Sequence, residues 1–215
     1  MTEKPSMGLC QHCGKAFNRV SMSRHLNACG VGTGKASPGL VVFVESRYGK
    51  SYWMHVAVPE KSTLYELDHF LRKTWLECCG HMSGFTIAGV GYSSHGMDEF
   101  AEGSMESRLS RVLGVGDRFY YEYDYGSTTS LALKVVGRRN LDKPRDGVVM
   151  LSRNLNPEFN CDQCKSQPAT QICTECAWNS KGWLCSSCAA AHECGTEMFL
   201  PVVNSPRTGV CGYSG

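Results

Sequence analysis

Residues 40–58 read Leu-Val-Val-Phe-Val-Glu-Ser-Arg-Tyr-Gly-Lys-Ser-Tyr-Trp-Met-His-Val-Ala-Val, and they set the architecture of the central part of the chain. Two runs of β-branched and aromatic residues, 40–46 and 52–58, lie on either side of the turn Tyr48-Gly49-Lys50. Runs of this composition separated by a glycine-containing turn predict a β-hairpin. We therefore expect a β-sheet to start at Leu40.

A helix is predicted directly after this hairpin. Thr63 and Glu66 have the spacing of a capping box, and apolar residues then recur at helical spacing until Gly80. These apolar positions are Leu64, Leu67, Leu71 and Trp75. Because they share one face, the helix is expected to lie across the sheet.

The segments after the helix complete an α+β domain. Strands are predicted at 85–88, 118–125, 131–135 and 148–151, and a short helix at 109–113. The glycine- and serine-rich residues 89–105 and the charged residues 137–146 are predicted as loops. This order of elements indicates a helix packed on one sheet, of β-grasp type.

Thirteen cysteines lie mainly at the two ends of the 215-residue chain, with only Cys78 and Cys79 in its long central part. No apolar run follows the charged N-terminus, so a secretory signal is not expected, and the thiols are expected to bind metal rather than form disulfides. No run approaches the roughly 18 apolar residues of a membrane span. We therefore expect a cytoplasmic protein, in which buried, inert thiols at Cys78 and Cys79 are favoured over a Cys–His pair with His81.

Four residues near the N-terminus have the spacing of a ββα zinc finger: Cys10, Cys13, His25 and Cys29. A Cys-x-x-Cys turn offers two thiolates from a hairpin, and a His and a Cys four residues apart on a helix close the tetrahedron. Phe17 and Met22 fall at the two core positions of such fingers.

The finger also offers candidate contacts to DNA or RNA. Counted along the helix from His25, the side chains that would face base edges are Asn18, Ser21 and Arg24. Residues 1–39 contain five basic side chains and one acidic one. One finger covers only about three base pairs, so binding is expected to depend mainly on charge.

Eight further candidate ligands lie between residues 161 and 194. They are Cys161, Cys164, Cys173, Cys176, Cys185, Cys188, His192 and Cys194. Eight ligands make two zinc sites, either by sequential pairing of the Cys-x-x-Cys motifs or by alternate, cross-braced pairing. Interleaved sites suit a module of about 35 residues, because so small a unit has little core.

Residues 183–192, Trp-Leu-Cys-Ser-Ser-Cys-Ala-Ala-Ala-His, resemble the end of a B-box zinc domain. The resemblance implies cross-bracing, in which one site contains Cys161, Cys164, Cys185 and Cys188 and the other Cys173, Cys176, His192 and Cys194. Cys194 lies unusually close to His192 in sequence, and Cys211 is the alternative ligand in its place. No metalloprotease or deaminase motif accompanies these residues, so we expect closed structural sites and no catalytic residue.

Two central segments carry a second resemblance. Residues 64–76, Leu-Tyr-Glu-Leu-Asp-His-Phe-Leu-Arg-Lys-Thr-Trp-Leu, and 116–129, Gly-Asp-Arg-Phe-Tyr-Tyr-Glu-Tyr-Asp-Tyr-Gly-Ser-Thr-Thr, are similar to the plasmid pRi ORF-three-like family. Members of that family include passenger proteins of insertion sequences, so the resemblance implies a mobile-element association in a bacterium or archaeon. It covers about residues 40–139 and implies a β-grasp-like domain, but no reaction.

Tyr121, Tyr123 and Tyr125 lie on one alternation of the second segment, where burial is favoured over a stacking platform for single-stranded nucleic acid.

These observations divide the chain into a finger (1–30), a glycine-rich linker (31–39), an α+β domain (40–139), a connector (140–158) and a two-zinc module with its tail (159–215). Three zinc ions bound by thiolates would change the formal net charge from +2 to about −2. We expect a non-enzymatic zinc protein that acts as a nucleic-acid-associated or regulatory adaptor. The alternatives are a protein-interaction module, a ribosome-associated factor and an enzyme of transposition; neither a membrane nor a small-molecule substrate is indicated.

Overall fold

The computed structural model describes residues 6–30, 37–94, 101–141 and 147–215, and the chain divides into two units. The first unit consists of Met1–Thr74 and His81–Leu155, and the second of Trp75–Gly80 and Asn156–Gly215. Within the described ranges, none of the helices is long and apolar enough to cross a membrane.

The first unit is a mixed α+β structure that is mostly sheet. Its elements are β1 Met7–Cys10, β2 Ala16–Asn18, α1 Arg19–His25, β3 Ser37–Ser46, β4 Trp53–Pro59, α2 Leu64–Leu71, β5 Ser83–Ile87, β6 Val90–Ser93, β7 Ala101–Gly103, α3 Leu109–Val112, β8 Arg118–Tyr123, β9 Thr129–Leu141 and β10 Val149–Asn154. The strands form one ten-stranded sheet in the order β2-β1-β10-β4-β3-β9-β8-β5-β6-β7. Strands β6 and β7 pair in parallel.

Several boundaries differ from the sequence-based predictions. The prediction that residues 89–105 form a loop is wrong, because β6 and β7 lie within this segment. Strand β9 continues to Leu141, into the loop predicted over 137–146, and β3 begins at Ser37, inside the expected linker. Both strands are longer than their apolar runs because they pair with each other as far as Ser37 and Leu141. Residues 31–36, the rest of that linker, lie outside the described residues.

The predicted hairpin and the helix after it are confirmed. Strands β3 and β4 pair antiparallel, with Val42 opposite Val56. At the start of α2, Thr63 Oγ1 accepts a hydrogen bond from the Glu66 backbone N–H (3.3 Å), and the Glu66 carboxylate accepts one from the Thr63 backbone N–H (2.7 Å). This capping box begins the helix at the expected residue.

A buried polar network holds α2 against the sheet. The Asp68 carboxylate accepts hydrogen bonds from Ser83 Oγ (2.6 Å) and from the Tyr121 hydroxyl (2.8 Å). Burial raises the pKa of the Tyr121 phenol well above its usual value, and the adjacent Asp68 carboxylate adds to this effect. Tyr121 and Tyr123 are fully buried, so the burial favoured from the sequence is confirmed for these two rings, whereas Tyr125 is 46% exposed.

The N-terminal ββα arrangement is confirmed, and its strands extend the large sheet. Strand β1 pairs with β2 on one side and with β10 on the other, where Gly8 lies opposite Asn154. A Cβ atom at Gly8 would lie 2.5 Å from the ring of Trp53, so glycine lets β1 approach this ring. Trp53 is fully buried in one cluster with Cys10, Met22 and Leu26. The finger therefore shares its core with the sheet.

His55, in the middle of β4, is a buried imidazole held between two hydroxyl groups. Its Nε2 lies 2.7 Å from Ser23 Oγ of α1, and its Nδ1 lies 2.9 Å from Ser152 Oγ of β10. Burial lowers the pKa of His55 from 6.5 to about 4. The folded chain therefore keeps this imidazole neutral at pH values where the unfolded chain protonates it.

Stability of the first unit is expected to fall as the pH drops from 6.5 towards 4. In this window the unfolded state binds a proton at His55 and the folded state does not. The stability that comes from the neutral His55 is therefore present in full above pH 6.5 and is lost progressively as the pH falls towards 4. The loss between pH 7 and pH 5 is about 2 kcal/mol. Urea unfolding followed by circular dichroism measures it, at constant zinc concentration.

His55→Gln is expected to remove this part of the pH dependence, whereas His69→Gln, at an exposed position of α2, should leave it as in the wild type. An equal pH dependence in all three proteins would contradict the assignment.

The second unit is built around a smaller sheet. It contains β11 Gln171–Cys173, β12 Trp183–Leu184, α4 Ser186–Ala190 and β13 Phe199–Pro201. The strand order is β12-β11-β13, so residues from the C-terminal tail form one edge. One buried cluster of this unit consists of Cys161, Leu184 and Cys185. Cysteines thus occupy positions that larger domains fill with aliphatic side chains.

Candidate metal centres

The Cys-x-x-Cys turn of the N-terminal site is shaped by backbone hydrogen bonds. The Gly14 N–H donates to the Cys10 carbonyl (2.9 Å), and the Cys10 N–H donates to the Lys15 carbonyl (3.0 Å). Gly14 has a positive φ of 70°, a conformation that glycine adopts without strain. The turn that joins β1 to β2 therefore presents both thiols on one side.

The ligand atoms of Cys10, Cys13, His25 and Cys29 all lie within 4.8 Å of one another. Cys10 Sγ is 3.9 Å from Cys29 Sγ, and Cys13 Sγ is 3.3 Å from His25 Nε2. Tetrahedral metal–sulfur bonds of about 2.3 Å place two sulfurs about 3.8 Å apart. Phe17 stacks on the His25 ring with centroids 4.4 Å apart, which fixes the orientation of the imidazole.

The thiols of this site differ in acidity. A hydrogen bond from the backbone of Lys15 lowers the pKa of Cys13. Loss of solvation raises the pKa of Cys29 to about 11, and hydrogen bonds with the neighbouring thiols add to the rise. Deprotonation of one thiol therefore makes deprotonation of its neighbours less favourable, and the charge of a bound cation would offset this repulsion.

The three candidate nucleic-acid contacts lie in different environments. Asn18 is the N-cap of α1, and its Oδ1 accepts a hydrogen bond from the Ser21 backbone N–H at 2.9 Å. Both residues are half-buried, whereas Arg24 is exposed on the helix. Asn18 thus has a structural role that the sequence reading did not assign, and Arg24 is the candidate whose charged group faces solvent.

In the second unit, Cys161, Cys164, Cys185 and Cys188 come together with all ligand atoms within 4.8 Å. Cys164 Sγ and Cys185 Sγ are 3.9 Å apart. The Lys165 N–H donates to the Cys161 carbonyl (3.0 Å), which closes the first turn, and Cys185 is the N-cap of α4. This is the alternate grouping of the Cys-x-x-Cys pairs.

Hydrogen bonds give the thiols of this group different pKa values. A hydrogen bond with the Ser166 side chain, followed by backbone hydrogen bonds from Ser166 and Gln167, lowers the pKa of Cys164 to about 6. Hydrogen bonding with the Cys185 thiol raises the pKa of Cys188 to about 12. Cys164 is therefore the thiol most ready to bind a cation at neutral pH, and the metal charge would favour deprotonation of the others.

Cys173, Cys176, His192 and Cys194 form another group within 4.8 Å, and Cys176 Sγ lies 3.8 Å from Cys194 Sγ. Hydrogen bonding with the Cys173 thiol, and then with the Cys176 thiol, raises the pKa of Cys194 to about 12. The structure thus places Cys194 in the group, and Cys211, its proposed substitute, lies elsewhere.

A fourth group was not expected from the sequence: in the second unit, Cys78 Sγ lies 3.5 Å from Cys79 Sγ, and Cys79 Sγ lies 3.7 Å from Cys211 Sγ. The interpretation of Cys78 and Cys79 as buried thiols is wrong, because Cys79 is exposed and Cys78 half-buried. Their neighbourhood to Cys211 depends on how the C-terminal tail folds back, which sequence spacing does not reveal. With this group, all thirteen cysteines belong to sets that could hold a metal ion.

No protein-family model and no curated protein matches this chain. Among solved structures, the chain is similar to a protein of unknown function from Methanosarcina mazei Go1, at 14% sequence identity and a TM-score of 0.48. The similarity covers 55% of this chain and 70% of that one. The chemistry of the sites therefore rests on this chain's own residues.

Proposed function

We propose that the protein binds zinc at the three sites formed by Cys10/Cys13/His25/Cys29, Cys161/Cys164/Cys185/Cys188 and Cys173/Cys176/His192/Cys194. The observation that carries this proposal is the grouping of four sulfur or imidazole ligands within 4.8 Å of one another at each site. Thiolate-rich tetrahedra are the preferred surroundings of zinc. Four protein ligands leave no coordination position for water or substrate, so the zinc would supply structure and no reaction step.

The protein is further proposed to act as a non-enzymatic adaptor that contacts nucleic acid through its N-terminal finger. Arg24 and Lys15 are exposed at this end, whereas Arg19 is held by Glu45 through an ion pair of 2.8 Å. Basic side chains that face solvent can neutralise phosphates. Because β1 is paired on both sides, the finger would present these charges from a fixed edge of the sheet.

Arg24→Ala is expected to weaken binding of the zinc-loaded full chain to a labelled DNA duplex or RNA hairpin. Loss of one phosphate contact should reduce the slope of log Kd against log salt concentration by about one, uniformly across sequences. Fluorescence anisotropy at several salt concentrations measures both quantities.

The matched control is Arg111→Ala, which removes the same charge from an exposed position of α3. Binding that does not depend on salt, or equal losses in the two variants, would refute the contact through the finger.

A protein-interaction role is the second candidate, and the surface of the second unit favours it. Trp178 is 85% exposed there. Exposed tryptophans are common anchors of protein interfaces. In a pull-down with the holo-protein, a direct protein partner would be retained after nuclease treatment, whereas a partner bridged by nucleic acid would be lost. A ribosome-associated protein would instead co-sediment with ribosomal particles.

We also infer a relationship of residues 40–139 to the plasmid pRi ORF-three-like family and its β-grasp-like domain. Two features support it: α2 packs on the sheet through Asp68, and Tyr-Asp-Tyr-Gly-Ser-Thr at 123–128 forms the turn between β8 and β9. In this turn, Asp124 Oδ1 accepts hydrogen bonds from the Gly126 and Ser127 backbone N–H groups (3.0 and 3.2 Å). The relationship and the cytoplasmic location remain predictions.

A further inference from the structure

The three zinc sites of the proposed function use ten of the thirteen cysteines and leave Cys78, Cys79 and Cys211. These three belong to the second unit, and their sulfurs are close together: Cys78 Sγ is 3.5 Å from Cys79 Sγ, and Cys79 Sγ is 3.7 Å from Cys211 Sγ. We propose that Cys78, Cys79 and Cys211 bind a fourth zinc ion.

The distances fit a tetrahedral metal site. Zinc–sulfur bonds of about 2.3 Å place sulfurs about 3.8 Å apart, whereas a disulfide requires about 2.05 Å. The three sulfurs lie within 4.8 Å of one another, as do the ligand atoms of the three other groups. The N-terminal site likewise offers three sulfurs.

The tail is folded so that Cys211 reaches this position. Successive turns are closed by hydrogen bonds from Val210 N–H to the Arg207 carbonyl (3.1 Å) and from Tyr213 N–H to the Val210 carbonyl (3.0 Å). Cys211 itself has a φ of +50°, which is unfavourable for a side-chain-bearing residue. Such conformations persist where the surroundings fix them and often mark functional sites, and a metal bond at Sγ would provide that restraint.

The charges around the cluster also fit. Arg207 is fully buried, and its Nη2 lies 3.4 Å from Cys78 Sγ. A guanidinium next to the cluster favours negative charge there, and three thiolates with one divalent zinc supply a net charge of −1. The three thiol protons would pass to solvent on binding.

Native mass spectrometry of the full chain tests the proposal directly. The protein is purified under reducing conditions with zinc present, and we expect a mass corresponding to four zinc ions per chain. In parallel, brief alkylation with iodoacetamide followed by peptide mapping should leave Cys79 and Cys211 unmodified, although both are exposed. Three zinc ions with rapid alkylation of these two cysteines would overturn the fourth site and leave the other three intact.

Variants then assign the ligands. Cys211→Ser and Cys79→Ser are each expected to reduce the zinc count to three, whereas His69→Ala, an exposed histidine outside all four groups, should retain four. Loss of more than one zinc from Cys211→Ser would indicate general unfolding, and Cys79→Ser and the wild-type alkylation pattern then decide. A Cys211→Ser protein with four zinc ions, or a Cys79–Cys211 disulfide in the reduced wild type, would refute the proposal. Because the readout is the metal count, it does not depend on nucleic-acid binding.

Discussion

Removal of zinc from the reduced full-length chain is expected to unfold the second unit while the large sheet of the first unit stays folded. Structural zinc contributes about 10–16 kcal/mol per site in small metal-binding domains. A core as small as that around Leu184 supplies only a few kcal/mol, too little to compensate for the loss of the metal. The first unit, by contrast, buries long runs of side chains, including all seven residues of β4.

Hydrogen exchange with mass spectrometry, before and after treatment with a strong chelator, resolves the two units. Amides of β11, β12 and α4 should exchange freely after chelation, and those of β3, β4 and β9 should remain protected. The N-terminal finger should respond in part: α1 loses protection, whereas β1 keeps the protection that comes from its pairing with β10.

Refolding on addition of zinc is the control, and the metal content must be shown to fall to zero before exchange begins. Unchanged protection of the second unit without bound metal would show that the cysteine groups are not structural zinc sites.

Trp53→Ala is expected to destabilise the first unit by about 3–5 kcal/mol, as is typical when a large buried aromatic residue is truncated. The indole is fully buried against Met22 and Leu26 of the finger, and its Nε1 donates a hydrogen bond to Ser6 Oγ (3.1 Å). The substitution removes the surface on which the finger packs. We therefore also expect faster transfer of the N-terminal metal to a chromophoric chelator.

Trp178→Ala is the matched control, because it deletes the same side chain from an exposed position. Its urea midpoint and its rate of metal release from the N-terminal site should stay close to those of the wild type. If both tryptophan variants behaved alike, the shared core between the finger and the sheet would not be needed for stability.

Much of the metal chemistry could be read from sequence because it depends on local spacing. The turn between Cys10 and Cys13 and the helical offset between His25 and Cys29 are short-range geometry, and the structure brings these four residues together. The capping box of Thr63 and Glu66 is local in the same sense and begins α2 as predicted. The hairpin of β3 and β4 could be predicted from the short turn between its two strands.

Features that depend on distant parts of the chain could not be predicted in this way. Strand β1 is four residues long and shows no pattern that would select β10 as its neighbour, so the finger was expected as a separate domain. Likewise, Cys211 is far in sequence from Cys79, and only the fold of the tail shows that their sulfurs are 3.7 Å apart. An odd set of unassigned cysteines was the one signal available.

The position of β10 between β1 and β4 has a consequence for synthesis. Residues near the N-terminus leave the ribosome first, and domains fold in that order during translation. The four candidate ligands from Cys10 to Cys29 thus emerge long before Asn154, the partner of Gly8, has been added to the nascent chain. Metal binding at the proposed N-terminal site would therefore precede completion of the sheet, and β10 would then insert between β1 and β4.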